Sequence, residues 1–226
     1  MAEGTDKPRV VRPRDAASLI PLRRIGGTLH VLMGRRARAH RFLPNFYVFP
    51  GGRVDVADAD RRVDSALAAA DAASVAAQAG SRLAHALAVA AVRETYEETG
   101  LVIGRLIEGE IVPALGRLRA VMRAITPTDS PIRFHARFFA SMIEPDDGEI
   151  RGNGELLDLA WRPIEASLEL PLADITEYLL IHVERLLEAS PHPHGLALFA
   201  YHGPRVEIRA PDRTRRPWVP FAGRKR

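Results

Sequence analysis

Arg93-Glu94-Thr95-Tyr96-Glu97-Glu98-Thr99-Gly100-Leu101 is the stretch on which the reading of this chain turns. Written as a helix, it puts Glu97 and Glu98 three and four residues after Glu94, so the three carboxylates share one face. At about 100° per residue, that face lies roughly 100–120° from the stripe formed by Ala88, Ala91, Val92 and Thr95. One side can pack into a core while the adjoining side presents three negative charges. Like charges at this spacing repel by about a few tenths of a kcal/mol per pair on an exposed helix. A divalent cation with a preference for oxygen ligands reverses the sign of that interaction. Arg93, four residues before Glu97, can hold that carboxylate by a charge-assisted hydrogen bond. Taken alone, the pattern also fits an ordinary solvated acidic face.

Working outward, Ser81 reads as the N-cap of the helix, and Gly100 as its C-terminal stop after Thr99. Upstream, residues 65–78 are Ala-rich and helix-prone, separated from the acidic helix by Gly80. Further upstream, Phe49-Pro50-Gly51-Gly52 breaks the chain direction. Residues 16–23 and 28–35 are β-like and flank the Gly26-Gly27 turn. Downstream, residues 113–124 read as a short helix, 132–143 as a long strand and 156–161 as another strand. Residues 172–188 read as an amphipathic helix. Residues 196–201 and 206–209 around Gly203-Pro204 suggest a terminal hairpin, and the Arg/Pro tail after Ala210 an arm or disorder. Strands and helices mix without a βαβα rhythm, so the fold class is α+β.

The 226 residues fit one domain with embellishments, long enough to bury a core without staples. The absence of cysteine excludes disulfides and Cys-ligated zinc or iron–sulfur sites. The formal charge is +4, from 32 Lys+Arg against 28 Asp+Glu, and Lys7 and Lys225 are the only lysines. That excess is modest for nucleic-acid binding, and the basic stretches lack interleaved aromatics, so no nucleic-acid partner is expected. The longest apolar run, residues 86–92, is far too short to span a bilayer. With no apolar segment in the leader, residues 1–15, the expected setting is cytoplasmic and away from membranes.

Phe49-Pro50-Gly51-Gly52 followed by Arg93-Glu94, Glu97-Glu98 and Gly100 resembles the box of the Nudix (MutT-type) hydrolases, G-x5-E-x7-R-E-U-x-E-E-x-G-U. Thr95 takes the box's apolar position, between Glu94 and the Glu97-Glu98 pair. The spacing departs from the family: its arginine comes fourteen positions after the first glycine, whereas here Arg93 follows Gly52 by forty-one. Twenty-seven extra residues therefore interrupt the box. Counting back from Arg93, the box's first glutamate falls on His85, with Asp55, Asp58 and Asp60 as candidate substitutes. Such an interrupted box is similar to the coenzyme A diphosphatase subgroup. Thr126-Pro127, Pro131-Ile132-Arg133-Phe134 and Arg137-Phe138-Phe139 share its flavour, although His135 stands where that subgroup commonly has Asp.

The resemblance implies a Nudix-type α/β/α sandwich over residues 16–190. A mixed sheet, an inserted helix near residues 57–80, and a C-terminal hairpin and basic tail over 191–226 complete it. It implies Mg²⁺ or Mn²⁺ held by Glu94, Glu97, Glu98 and the Gly52 carbonyl, with Arg93, Gly51 and Gly100 as structural members of the box. Glu155, after Gly154, matches a glutamate that often serves as metal ligand or base; Asp146, Asp147 and Glu149 are alternatives. The activity implied is hydrolysis of a diphosphate bond in a nucleoside-diphosphate-linked small molecule. Coenzyme A or acyl-CoA is the subgroup's substrate, and Arg35, Arg36, Arg38 and Arg41 could receive its extra phosphate. ADP-ribose or NADH are same-class alternatives, and a non-catalytic ligand-sensing module the alternative of another class. His182, His192, His194 and His202 read as ordinary surface residues rather than a zinc site. The terminal hairpin offers an edge for a homodimer.

Overall fold

Alternation of apolar side chains on three central strands sets up two cores. The strands are β1 (Arg14–Ile25), β2 (Thr28–Arg36) and, later in the chain, β8 (Phe134–Met142). Ala17, Leu19, Leu32 and Phe139 point to one face of the sheet; Ile20, Leu22, Val31, Met33, Phe138 and Ala140 point to the other. A strand buried on both faces needs a layer on each side. The computed structural model describes residues 11–202 and 205–220.

Between β2 and β8 run β3 (Tyr47–Val48), β4 (Gly51–Arg53), a 3₁₀ turn (Val56–Asp60), α1 (Ala69–Ala79) and α2 (Ser81–Thr99). A small hairpin of β5 (Gly104–Ile107) and β6 (Glu110–Pro113), then β7 (Arg119–Ile125), complete that stretch. After β8 come β9 (Leu156–Pro163), a one-turn α3 (Ile164–Ser167), α4 (Asp174–Glu188), β10 (Leu198–His202), β11 (Arg205–Arg209) and β12 (Arg215–Trp218). The main sheet has the order β12-β11-β10-β7-β8-β1-β2-β3, with β4 beside β1 and β9 beside β2. It is mixed: β1 runs parallel to β8 and β10 parallel to β7, and the other pairs are antiparallel. Leu87, Ala88, Ala91 and Val92 of α2 close the first core, while Leu179, Leu180 and Val183 of α4 close the second. This is the expected α/β/α sandwich. Among the described residues no single helix is long and apolar enough to cross a membrane.

The β1–β2 hairpin splays. Its turn end pairs Leu22 to Ile25 with Thr28 to Val31, but the other half of β1 pairs with β4 and the far end of β2 with β3. Residues 47–53 thus fill the opening between the two strands, placing Gly51-Gly52 inside the sheet beside Ala17 and Ser18.

Several expectations change. Residues 119–125 form strand rather than helix. A bulge between Ala120 and Met122 leaves Val121 and Met122 both in the second core, so their apolar spacing mimics a helix. Arg14 and Asp15, expected in the leader, belong to β1, where they pair with Phe134 and His135. Gly80, not Ser81, is the N-cap of α2, and no side chain caps it. The stretch after Ala210 is not all free arm: β12 pairs with β11, and the terminal hairpin joins the main sheet through β10 and β7. Residues 1–10 and 203–204, the His202 side chain and residues 221–226 lie outside the described residues.

The extra residues within the box are anchored by α1. Buried Asp71 accepts the Ala120 N–H at 2.8 Å and lies 3.5 Å from the Arg119 Nε. The Gln78 amide donates toward the His194 and Leu196 carbonyls and accepts the Leu196 N–H. Replacing Asp71 with Ala leaves a buried donor without its acceptor, a loss of about 1–3 kcal/mol. Urea denaturation of Asp71→Ala should show that drop, and an unchanged midpoint would remove this anchor from the account.

Candidate active site

Gly51 and Gly52 sit under the last turns of α2. A Cβ on Gly52 would come within 2.2 Å of the Glu94 carboxyl carbon, so only glycine lets the strand and the carboxylate approach this closely. The Gly51 N–H donates to Glu98 Oε2 at 2.9 Å. Gly100 then ends the helix in the left-handed region, its N–H bonded to the Tyr96 carbonyl, as a C-terminal cap requires.

Arg93 holds this arrangement from behind. Its Nε and one Nη2 proton go to the two oxygens of Asp58 at 2.9 and 3.0 Å. The other Nη2 proton reaches the Arg53 carbonyl at 3.0 Å, and Nη1 reaches Glu94 at 3.0 Å and Glu97 at 3.3 Å. All five donors of the guanidinium find acceptors. Burial works against its charge, but the Asp58 hydrogen bonds and the charges of Glu94, Asp58 and Glu97 outweigh that and raise its pKa. Asp58, 1% exposed, also accepts the Asp55 N–H, which ties the 3₁₀ turn to the same point.

The carboxylates are unequal. Glu98 is 4% exposed, and burial, reinforced by the charges of Glu94 and Glu155, pushes its pKa up to about 8 despite the Gly51 hydrogen bond and nearby Arg36. Glu94 is raised by burial too, with Arg93 opposing. Glu97 is half exposed. Glu155, exposed just before β9, and Arg36, at the end of β2 opposite Leu156, lie close enough to act on Glu98. Burial lowers the Arg36 pKa while Glu98 and Glu155 oppose that; the buried Arg36 Nε has no hydrogen-bond partner, and Nη2 meets His40 Nδ1 at 3.0 Å.

Among the described residues no three His, Asp or Glu side chains already converge as a cage for a metal ion. Mg²⁺ does not ordinarily demand one: one or two carboxylates plus substrate phosphates suffice. A desolvated Glu98, with Glu94 beside it and a glycine backbone below, offers oxygen donors of the kind a hard divalent cation takes. The residues fit.

No protein-family model and no curated protein matches the chain. Solved structures do. A NUDIX hydrolase from Alicyclobacillus acidocaldarius is similar at 29% identity and a TM-score of 0.59, over 79% of this chain and 92% of that one. The NUDIX domain of Shewanella oneidensis NrtR, solved in complex with ADP-ribose, is similar in fold at 14% identity and a TM-score of 0.52, over 83% and 99%. The chain has the Nudix fold. The first of these neighbours supports a Nudix diphosphohydrolase.

Within that fold Gly51, Gly52, Arg93, Glu94 and Glu98 come together, with Glu97 on the Arg93 side, while Gly100 closes α2 beside Arg151. Asp58 is not a stand-in for the first glutamate of the Nudix box, because both its oxygens serve Arg93. Asp60 faces away, in an exposed pair with Arg82, and Asp55 is exposed 3.8 Å from Arg93. His85, at the counted position of that glutamate, turns its Nε2 to the Arg61 carbonyl. Asp147 is buried in a two-oxygen pair with Arg117 and accepts the Glu144 N–H, a structural use that removes it as a base; Asp146 and Glu149 are exposed. The four arginines do not form one patch. Arg36 faces Glu98 and Arg35 faces the Tyr47–Asp158 pair, while Arg38 and Arg41 are exposed in the following loop. His135, whose pKa falls to about 4 by burial and the adjacent Arg137 and Arg123, meets Arg123; Asp15 from β1 pairs with Arg137. His192 and His194 stack loosely in an exposed loop, and His182 packs on Tyr178. Asp58 as the partner of Arg93 is the residue that sequence spacing could not single out, since thirty-five positions separate them.

Two outcomes follow. Asp58→Ala strands a buried guanidinium and should cost about 3–5 kcal/mol in chemical denaturation; a loss under 1 kcal/mol would contradict the hub. Glu98 and Glu94 bind protons more tightly folded than unfolded, so stability is fullest below the ordinary carboxylate range and falls as pH rises toward about 8. In chelator, melting temperatures should decline between about pH 5 and 8, and Glu98→Gln should flatten that slope.

Proposed function

We propose that the chain is a divalent-cation-dependent hydrolase of a diphosphate bond in a nucleoside-diphosphate-linked small molecule, with coenzyme A or acyl-CoA as first candidate. The observation that carries the reading is a buried carboxylate, Glu98, held on the Gly51 N–H with Glu94 pressed on Gly52. Residues 16–190 are the catalytic domain in this reading.

Glu94, Glu97, Glu98 and the Gly52 carbonyl would hold Mg²⁺ or Mn²⁺. Such an ion, when bound, polarises phosphoryl oxygens and makes water a better nucleophile. Glu155, exposed at the mouth and near Glu98, is the candidate base: it takes a proton from the water that attacks phosphorus as the bridging P–O bond breaks. Each half leaves as a phosphate monoester. Arg36, whose charge lies next to both glutamates, is placed to meet the phosphoryl group that approaches them. Arg93, Gly51 and Gly100 fix geometry rather than touch substrate. Arg38 and Arg41 are candidates for a further phosphate on a coenzyme A-type substrate, and Arg35, turned to the other face, is dropped from that set.

The similarity of the fold to a domain solved with ADP-ribose keeps ADP-ribose and NADH as alternative substrates. A non-catalytic sensing module is favoured by one observation, His85 where the box's first glutamate would fall. Phosphate release from CoA, acyl-CoA, ADP-ribose, NADH and dinucleoside polyphosphates with Mg²⁺ and Mn²⁺ separates these readings. Turnover of CoA above the rest supports the first, and binding without turnover of any supports the sensor. Glu97→Gln and Glu98→Gln should each abolish turnover while the chain stays folded by circular dichroism; retained turnover in both takes these residues out of the chemistry.

A further inference from the structure

On the opposite face of the sheet from α2, the chain carries a cleft of about 420 Å³ between α4 and the last two strands. Tyr178, His182 and Arg185 line it from α4, on one helical stripe, and Ile208, Arg216 and Trp218 from β11 and β12. The register explains why they meet: Trp218 pairs with Val206 and Arg216 with Ile208, so all four point to the α4 side. The sheet extends past the helix here, leaving a corner with ring surface on two walls. His182 and Trp218 both stand edge-on to Tyr178, at 4.5 and 6.0 Å between ring centres.

The two charged side chains that line this corner, Arg185 and Arg216, are both cationic, and exposed Asp212 lies near Arg216. Burial raises the Tyr178 pKa, and Arg185 and Arg216 both lie near enough to its hydroxyl to oppose that. Among the described residues no lining side chain is acidic. Burial and Arg185 hold His182 below the ordinary histidine range, so it contributes a neutral ring at pH 7. The volume falls within the roughly 300–1,000 Å³ usual for small-molecule sites. Two guanidiniums over an aromatic wall suit a ligand with a flat ring at one end and a phosphate at the other.

We propose that this cleft is a second ligand site, separate from the carboxylate site, for a planar aromatic monophosphate of the nucleotide class. The ring lies against Trp218 and Tyr178 and the phosphate between Arg185 and Arg216. Nothing in this depends on what the carboxylate site does.

The test uses the full chain and AMP, which has no diphosphate bond to cut. In a Trp161→Phe background Trp218 is the sole tryptophan, so its emission reports the cleft directly. AMP should change that emission saturably, with adenosine and inorganic phosphate each weaker by about tenfold or more. Arg185→Ala and Arg216→Ala, both at exposed positions, should each weaken AMP by about tenfold with unchanged melting temperature. Glu98→Gln should leave AMP binding unaltered. AMP no tighter than adenosine or phosphate overturns the proposal. So does AMP binding that survives the two arginine changes, or that is lost in Glu98→Gln.

Discussion

A guanidinium out of water must have its charge matched and its five donors met, and in this chain that demand falls on Arg93. Asp58 takes two of the donors, Arg53 one, and Glu94 and Glu97 the rest. Those acceptors come from β4, from the turn after it and from α2 itself. Satisfying one side chain therefore fixes three pieces of chain relative to one another. Breaking such a pair costs more than it contributes when intact, because the partner left behind is charged and dry. This asymmetry makes the junction unforgiving of misplacement, and it is why the helix can return to the glycine turn in register after a long excursion.

The same logic separates what was legible in the sequence from what was not. Glu94, Glu97 and Glu98 could be placed on one helical face because their spacing is local, and Gly100 could be read as a stop because a left-handed cap is a local need. Strands β1, β2, β8 and β9 were legible by alternation and by β-branched and aromatic content. The strand at 119–125 was not. Its bulge sets Val121 and Met122 side by side, so the apolar pattern loses its period of two. Strand β12 was hidden for a different reason: Arg215 and Arg216 look like tail residues, and only pairing with β11 gives them a place. Asp58 was visible as an acid near the turn, but its use was decided by a partner distant in sequence.

The extra residues and the C-terminal extension belong to one structural unit. Helix α1 does not hang off the box as a loop would. Asp71 reaches β7, and Gln78 grips the segment before β10 so closely that a Cβ on Gly195 would fall within 1.7 Å of its Nε2. Arg123, on the strand beside β10, adds a bond to the Leu196 carbonyl. The route by which β10 enters the sheet parallel to β7 is therefore lined by residues of the insertion. A chain with the insertion removed would leave Ala120 and Leu196 with unmet backbone groups, so the two additions are physically coupled even though more than a hundred positions separate them.

What remains is why a fold should bury Glu98 at all. An isolated carboxylate away from water is disfavoured, and one hydrogen bond from Gly51 does not offset the loss of hydration. The neighbours add to the cost, since Glu94 and Glu155 are of the same sign. A leucine there would avoid that penalty, yet it would remove one of the carboxylates proposed to hold a cation. Glu97 is different: half exposed and held by Arg93, it lies at the edge of the core rather than in it. One carboxylate is thus fixed and poorly hydrated, and the other partly solvated. In the proposed metal-bound state, such a pair would bind a hard cation more readily than two free surface acids, because part of the desolvation is already incurred in folding.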